Sequence, residues 1–323
     1  MLSRIKKALA PFEKYLLLET GWLIFNYQNK HRKNPTIKKI SWVLRETTAI
    51  FANRLKIVRM DNSYAGEHQA LADAMNKLGI SEGHLIDIGA ADGIRQSSSA
   101  NFLKSTNWSG TLFEFDPKSF AKLSFLYNDN DSVSLCKAKV TPSNIVSLLE
   151  GLNVPKQVAY LNIDIDSYDL SVLRNLIDGK FRPLVISMEI NEKFPPNIDF
   201  EVLYSDEHYW QGDHFFGCSL TAAFDALSVR NYSLINFHFN NAIFIDNRQT
   251  KAVPVIKDLR DAYRKGYLQQ EDRTLLFPWN ENIEILQTQS NASAEEFLRE
   301  LFEKYNGKYK LEFKNFSHTL DGH

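Results

Sequence analysis

The stretch "HLIDIGAADGIRQSSSANFL", residues 84–103, decides how the chain is read. An apolar run stops at Asp87, two glycines follow at 89 and 93 with Asp92 between them, and small polar residues then open a helical pattern. A strand-to-helix turn of this kind lets backbone approach a ligand closely and offers free N–H groups at the helix start. The spacing is D-x-G-x-x-x-G and not G-x-G-x-x-G, because Ala91 stands where a diphosphate-binding loop favours glycine. Acids at both ends suit a ligand that carries a cationic amine better than one that carries a diphosphate. The alternative is a tight turn with no ligand.

Similar units surround it. Apolar runs at 84–89, 110–115, 132–138, 158–165 and 183–190 alternate with helical patterns at 97–106, 117–128, 141–152 and 167–178. This alternation predicts βαβ units around a parallel sheet, and strands apolar on both faces predict a sheet covered by helices on both sides. The segment 66–79 predicts an amphipathic helix closed by Gly79. The segment 191–217 is rich in aromatics and turn formers, and it reads as a long irregular insert of the lid or binding-loop type. A helix at 219–231 precedes two strand candidates, 232–239 and 241–247, close enough to pair as a hairpin. In the tail, Ser293 and Glu296 read as a capping box, and Tyr309, Leu311 and Phe313 alternate with charges as in a half-buried strand.

Composition adds limits. The 323 residues are 44% hydrophobic and 24% charged, with net charge −1, ordinary values for a globular chain. Residues 1–60 hold 13 Lys/Arg and 3 Asp/Glu, so the remaining 263 sum to −11. The basic N-terminus suggests contact with an anionic surface, a solvated helical face being the alternative. Cys136 and Cys218 make neither a disulfide framework nor a metal cluster, which fits a reducing cytoplasm. The opening segment has no apolar run approaching ~20 residues, so the expected location is cytoplasmic, with peripheral contact at the inner face of the membrane left open. Three regions are expected: a basic helical extension over 1–65, a cofactor-binding domain over 66–248, and an α+β appendage over 249–323.

Chemistry concentrates at the ends of the predicted strands. Glu114 lies 25 residues beyond Gly89, near the ~20-residue spacing at which an acid after the second strand accepts ribose hydroxyls. Asp116, before Pro117, is expected to cap the next helix. Asp164 and Asp166, two apart, are expected on one face of the fourth strand, where two carboxylates repel unless a proton, cation or ligand relieves them. Glu189 and Asn191 at the fifth strand could complete an all-oxygen site for Mg²⁺. Without metal, one acid, Asp166 by preference, serves as general base; the plainer alternative makes Asp169 a helix-turn residue and leaves Asp164 to orient the cofactor amine. His208, His214 and His238 are alternative bases, each with a structural reading beside it. Tyr209, Trp210, Phe215 and Phe216 are candidates for stacking on a sugar or closing over the cofactor, with core packing the alternative for Phe215 and Phe216.

The motifs "LIDIGAADG", "WSGTLFEFDP", "TPSNIVSLL", "AYLNIDIDSYDLSVL" and "PLVISMEIN" resemble class I S-adenosylmethionine-dependent methyltransferases, of the FkbM-like and macrocin O-methyltransferase-like branch. "FFGCSLTAAFDAL" and "NNAIFI" extend the likeness, which covers about residues 66–246. The resemblance implies a Rossmann-like α/β fold with a seven-stranded, mostly parallel sheet. It implies S-adenosylmethionine held by Asp87, Gly89, Ala90, Gly93, Glu114, Phe115 and Asp164, with Lys139, Val140 and Thr141 as candidates for the adenine pocket. Catalytic candidates are Asp166, Asp164, Glu189 and His214. The implied activity is O-methylation of a hydroxyl on a small-molecule or glycan acceptor, such as a sugar of a surface glycan or secondary metabolite. Some macrocin-type enzymes bind a divalent metal through similar acids.

Rival readings are a methyltransferase of nucleic acid, an inactive scaffold of the same fold, and a dinucleotide oxidoreductase. The acidic catalytic half and the lack of an N/D-P-P-Y/F motif oppose the first, so no nucleic-acid partner is expected. The retained Asp87, Gly89, Gly93 and Glu114 oppose the second, and the missing middle glycine opposes the third. Self-association is left open.

Overall fold

The computed structural model describes residues 66–314 apart from Arg95 and Ala252, together with Thr36 and Ser63. The expected helical extension over 1–65, with its membrane-facing reading, lies outside the described residues except for Thr36 and Ser63. Contacts separate Met1–Asn62 from Ser63–His323, and every described element belongs to the second unit. Among the described residues, no helix is long and apolar enough to cross a membrane.

The first helix, α1 (Glu67–Lys77), buries Leu71, Ala74 and Met75 at helical spacing and ends before Gly79, whose φ of +69° only glycine adopts freely. Then strands and helices alternate: β1 (Gly83–Ile88), α2 (Ser98–Leu103), β2 (Trp108–Glu114), α3 (Pro117–Tyr127), β3 (Val133–Lys137), α4 (Ile145–Gly151), β4 (Tyr160–Ile163), α5 (Asp169–Asp178) and β5 (Val185–Glu189). After β6 (Ile198–Val202) and α6 (Leu220–Ser228) come β7 (Tyr232–His238) and β8 (Asn241–Asp246). Local chemistry sets several of these boundaries. Asp116 caps α3 by accepting from Ser119 N at 2.7 Å, with Pro117 at the first helical position, and Ser219 caps α6 by accepting from Ala222 N.

Seven strands form one sheet in the order β3-β2-β1-β4-β5-β8-β7. The first five are mutually parallel, and β8 runs antiparallel to both of its neighbours. The α/β Rossmann-like sheet expected from the sequence is therefore present, hairpin included. The central strands are buried without alternation, all six residues of β8 among them, because helices cover both faces.

The segment 191–217 departs from expectation. It is not irregular throughout: β6 lies within it and pairs antiparallel with β9 (Tyr309–Phe313), from Ile198 opposite Phe313 to Val202 opposite Tyr309. A separate core forms between insert and tail. Phe194, Ile198, Phe200, Val202 and Phe215 pack against Ile283, Leu286, Leu298, Phe302 and Tyr305. Phe215 stacks on Tyr305 with ring centroids 3.8 Å apart. The tail helix α9 (Asn291–Leu301) is capped by Ser290, which accepts from Ser293 N, so the helix starts one turn before the expected Ser293 and the Ser293–Glu296 capping box does not form its end. Between them lie the short helices α7 (Leu259–Tyr263) and α8 (Arg273–Leu276).

Phe215 contributes no exposed surface and sits at the centre of this second core. Phe215→Ala is expected to cost about 3–5 kcal/mol of unfolding free energy, read as a lower urea midpoint with an unchanged slope.

Candidate functional site

The carboxyl ends of β1, β2, β4 and β5 meet along one rim of the sheet, the place where open α/β sheets bind ligands. At β1 the turn is tight. Gly89 has φ +94°, and a Cβ there would lie 1.7 Å from the Asp164 carbonyl oxygen. The glycine is thus demanded by the crossing of two chain segments. Gly93 has φ +74°, and its Cβ would lie 2.5 Å from Leu123 Cδ1, so the packing of α3 requires it. Ala90 is buried against the apolar cluster around Leu85, Leu112 and Leu123, and its backbone is engaged inside the protein, the N–H donating to Phe113 O at 3.0 Å and the carbonyl accepting from Gly93 N at 2.9 Å. Ala91 is left-handed, at φ +49°.

Glu114 ties this turn to the next. Its Oε2 accepts from Ala91 N at 2.8 Å and its Oε1 from Asp116 N at 2.5 Å. Both oxygens keep lone pairs for a diol. Phe115, the next residue, is 61% exposed, placed to cover a planar group beside Glu114. Asp87 is buried and accepts from Asn162 Nδ2 at 2.9 Å. Burial pushes its carboxyl up to about 6, with the Asn162 hydrogen bond opposing and Glu114 adding repulsion. Asn162 was not singled out in the sequence. It stands opposite Asp87 in the β1–β4 register, and that pairing places it.

The second half of the site is acidic. Asp164, Asp166 and Glu189 bring carboxylate oxygens within 4.8 Å of one another. The expected reason, alternate positions on a strand, is not the actual one, because β4 ends at Ile163. Asp164 and Asp166 lie on the following loop, and Asp166 is left-handed at φ +52°. Asp169 shapes that loop by accepting from Ile165 N at 2.7 Å and Ser167 N at 2.9 Å. It is a fully buried loop clamp more than a helix-turn residue. Asp164 N in turn donates to Ile88 O at 2.9 Å.

Burial, then mutual repulsion, raises all three acids. Asp164 is driven well above the usual carboxylate range by burial, then by Asp166 and Asp169. Glu189 is driven well above it by burial, then by Asp164 and Asp166. Asp166 rises to about 6 through burial and Asp169, with a hydrogen bond to Glu189, and then Lys193, opposing. Glu189 Oε1 accepts from Asn240 Nδ2 at 3.1 Å. Its Oε2 is buried and, among the described residues, no N–H or hydroxyl reaches it, so a shared proton, a cation or a water is needed to satisfy it. Asn191 does not join the acids. Its amide donates to the carbonyls of His214 at 3.0 Å and Phe216 at 2.9 Å, and its Oδ1 faces Lys193.

The remaining candidates divide. His208 is buried, with Nδ1 2.5 Å from Ser167 Oγ, and burial lowers its pKa. It braces the acid loop. His214 places Nε2 3.1 Å from Asn282 Oδ1, and burial, then Lys193, lowers its pKa. His238 lies on β7 opposite Asn241 and packs edge-on to Phe239. Phe215 and Phe216 are buried, whereas Tyr209 and Trp210 are 69% and 45% exposed. Trp210 Nε1 donates to Asp213 O at 2.7 Å, holding the indole in place. Lys139 donates to the Asp206 carbonyl, and Val140 and Thr141 are buried beside α4, where Thr141 N donates to Asn144 Oδ1.

No family model matches the chain, and no curated protein matches it. Among solved structures, it is similar to the N-terminal domain of EvdMO1, crystallised in the presence of SAH and D-fucose, with 8% identity and TM-score 0.37 over 57% of this chain and 83% of that one. It is similar to an O-methyltransferase family protein from Burkholderia thailandensis, with 10% identity and TM-score 0.35 over 73% and 69% of the two chains. It is also similar to a chain of a fibrillarin/Nop5p complex, with 12% identity and TM-score 0.32 over 51% and 71%. Likeness at this level leaves the reading of the site to its own residues.

Asp87 yields a test. Its folded pKa of about 6 exceeds the ordinary 3.8, so the folded state holds the proton more tightly. Its contribution to stability therefore falls as pH rises from about 4 to 6 and stays lost above. Asp87→Asn is expected to stabilise the ligand-free protein above pH 6 by about 1–3 kcal/mol. The gain should vanish below pH ~4, where both forms are neutral, and binding of S-adenosylhomocysteine should weaken. Unfolding at two pH values with calorimetry checks both halves.

Proposed function

We propose that the chain is an S-adenosylmethionine-dependent O-methyltransferase acting on a hydroxyl, that of a sugar in a surface glycan or secondary metabolite. The observation that supports it best is the pairing, along one sheet rim, of two unlike acidic sites. One is the Gly89 turn with Asp87 and Glu114, suited to an aminoacyl nucleoside without phosphates. The other is Asp166, a half-buried acid raised toward neutrality beside the first.

Bound at the turn, S-adenosylmethionine supplies an electrophilic methyl group on sulfonium. Glu114 accepts from the ribose hydroxyls, and Phe115 covers the adenine side. Asp87 and Asp164 face the methionine amine, whose positive charge relieves the cost of keeping them ionised. The acceptor hydroxyl attacks in line, a step that needs chiefly positioning, and Asp166 takes its proton. Trp210 and Tyr209 offer exposed aromatic faces for a sugar ring. The second reading, favoured by the unsatisfied Oε2 of Glu189, is a divalent cation such as Mg²⁺ on Asp164, Asp166 and Glu189, lowering the pKa of the acceptor hydroxyl.

The test is transfer of labelled methyl from S-adenosylmethionine to a panel of nucleotide-sugars and glycans, with and without EDTA. Transfer to a hydroxyl is expected. No transfer to any acceptor sinks the reading, and activity unchanged by EDTA sinks the cation. Asp166→Asn should lower turnover by about 10²-fold or more with S-adenosylhomocysteine affinity kept; Glu114→Ala should do the reverse.

A further inference from the structure

A short strap of the insert, residues 204–208, is pinned to the sheet rim at both ends. At its start, the Tyr204 ring packs edge-on to Tyr168 with centroids 4.8 Å apart, and the Tyr168 hydroxyl donates to Val140 O at 3.3 Å. The Tyr204 hydroxyl donates to Asp206 Oδ1 and faces the hydroxyls of Thr141 and Ser143. Lys139 Nζ donates to Asp206 O. At the other end, His208 Nδ1 lies 2.5 Å from Ser167 Oγ. Residues 139–143 leave β3, and Ser167 follows β4. In the sheet, β2 and β1 lie between those two strands, so the strap spans the carboxyl ends that carry Glu114 and Asp87.

The exit of β3 adjoins Glu114 directly, Ala138 N donating to Glu114 O at 3.2 Å. With the methionine amine at Asp87 and Asp164, on the β1 and β4 side, the base of a bound nucleoside lies on the other side of Glu114, toward β3. The exocyclic amine of adenine is a donor and needs an acceptor there. From 137 to 144 the chain offers Lys137 and Lys139 and no acid. The carbonyls of Lys139, Val140 and Thr141 already accept, from Asn144 Nδ2, from the Tyr168 hydroxyl and from the N–H groups of Asn144 and Ile145. The acid comes from the strap. Asp206 is exposed, one of its carboxylate oxygens takes the Tyr204 hydroxyl, and the other has no partner among the described residues. Lys139, the cation that would otherwise favour an oxo group on the base, is directed instead to the Asp206 carbonyl.

We propose that Asp206 sets the base specificity of the cofactor site, its carboxylate accepting from the exocyclic amine of adenine while Lys139 and Tyr204 hold it over the exit of β3. This rests on the S-adenosylmethionine reading of the rim. A carboxylate only accepts, so an oxo group in place of the amine would set two acceptors against each other. Asp206 takes no part in the transfer itself. The insert thereby contributes to the cofactor site as well as to the second core, and the strap that reads the base leads directly into Tyr209 and Trp210.

The experiment is calorimetry on the full chain with two ligands, S-adenosylhomocysteine and S-inosylhomocysteine, in which an oxo group replaces the amine. Wild type is compared with Asp206→Ala, Asp206→Asn and Glu207→Ala, the last removing the neighbouring exposed acid. Wild type should bind the amino form tighter by about tenfold or more. Asp206→Ala should lose that preference by weakening the amino form about tenfold, with the oxo form bound at least as well as by wild type. Asp206→Asn, whose side chain both donates and accepts, should bind the two forms alike. Glu207→Ala should keep the wild-type ratio. The ratio decides, because an acid that only shapes the strap would on removal weaken both ligands together, and that result overturns the proposal. A wild type that binds both forms equally overturns it too, as do Asp206 variants that keep the preference. A wild type that binds neither form overturns the S-adenosylmethionine reading itself, and the role of Asp206 with it.

Discussion

The site depends on one close crossing. Gly89 passes so near the Asp164 carbonyl that any side chain would collide with it, and Asp164 N reaches back to Ile88 O. Because backbone meets backbone there, the turn after β1 and the acid loop after β4 are a single rigid unit. The Asp87–Glu114 half and the acidic half of the rim are held at a fixed separation before any ligand arrives, as the proposed transfer between two bound molecules requires. Glu114 extends the unit sideways by accepting from both Ala91 and Asp116.

A polar row runs through the same sheet. Asp87, Asn162 and Ser187 are register partners on β1, β4 and β5, and Ser187 Oγ donates to Glu67 of α1 at 2.8 Å. Buried polar groups in a strand normally weaken a core, and here Asn162 is matched with Asp87 on the next strand and Ser187 with Glu67 of α1. The row ends close to Asp164, where carboxylates accumulate faster than partners. That imbalance is not removed by the fold. It is moderated by Lys193 on one side and by Asn240 and the backbone donors of the acid loop on the other. A cationic cofactor entering beside Asp87 would further offset it.

The α/β core was legible because its signals are local: apolar runs of strand length, helical spacing between them, and glycines and capping acids at the joints. Asp116 caps α3 as its place before Pro117 suggests. The second core was hidden. β6 and β9 are more than a hundred residues apart in the chain, and neither shows its partner in its own pattern. The sequence left Phe215 open between a lid and a core aromatic; it stacks on Tyr305, a contact no local spacing encodes. Asn162 and Asn240 were overlooked for the same reason, each being defined by the strand it faces.

The sequence by itself determined which residue types stand at the strand ends: the acids, the glycines and Ala91, which together turn the reading from a diphosphate to a phosphate-free cationic ligand. It also determined the α/β alternation, since hydrophobic periodicity is a property of neighbours along the chain. Only the tertiary structure decided which of those acids meet, and that Asp164 and Asp166 are gathered by the Asp169 clamp and not by strand alternation. Charge interactions depend on distance and burial, and both are set when distant parts of the chain pack together.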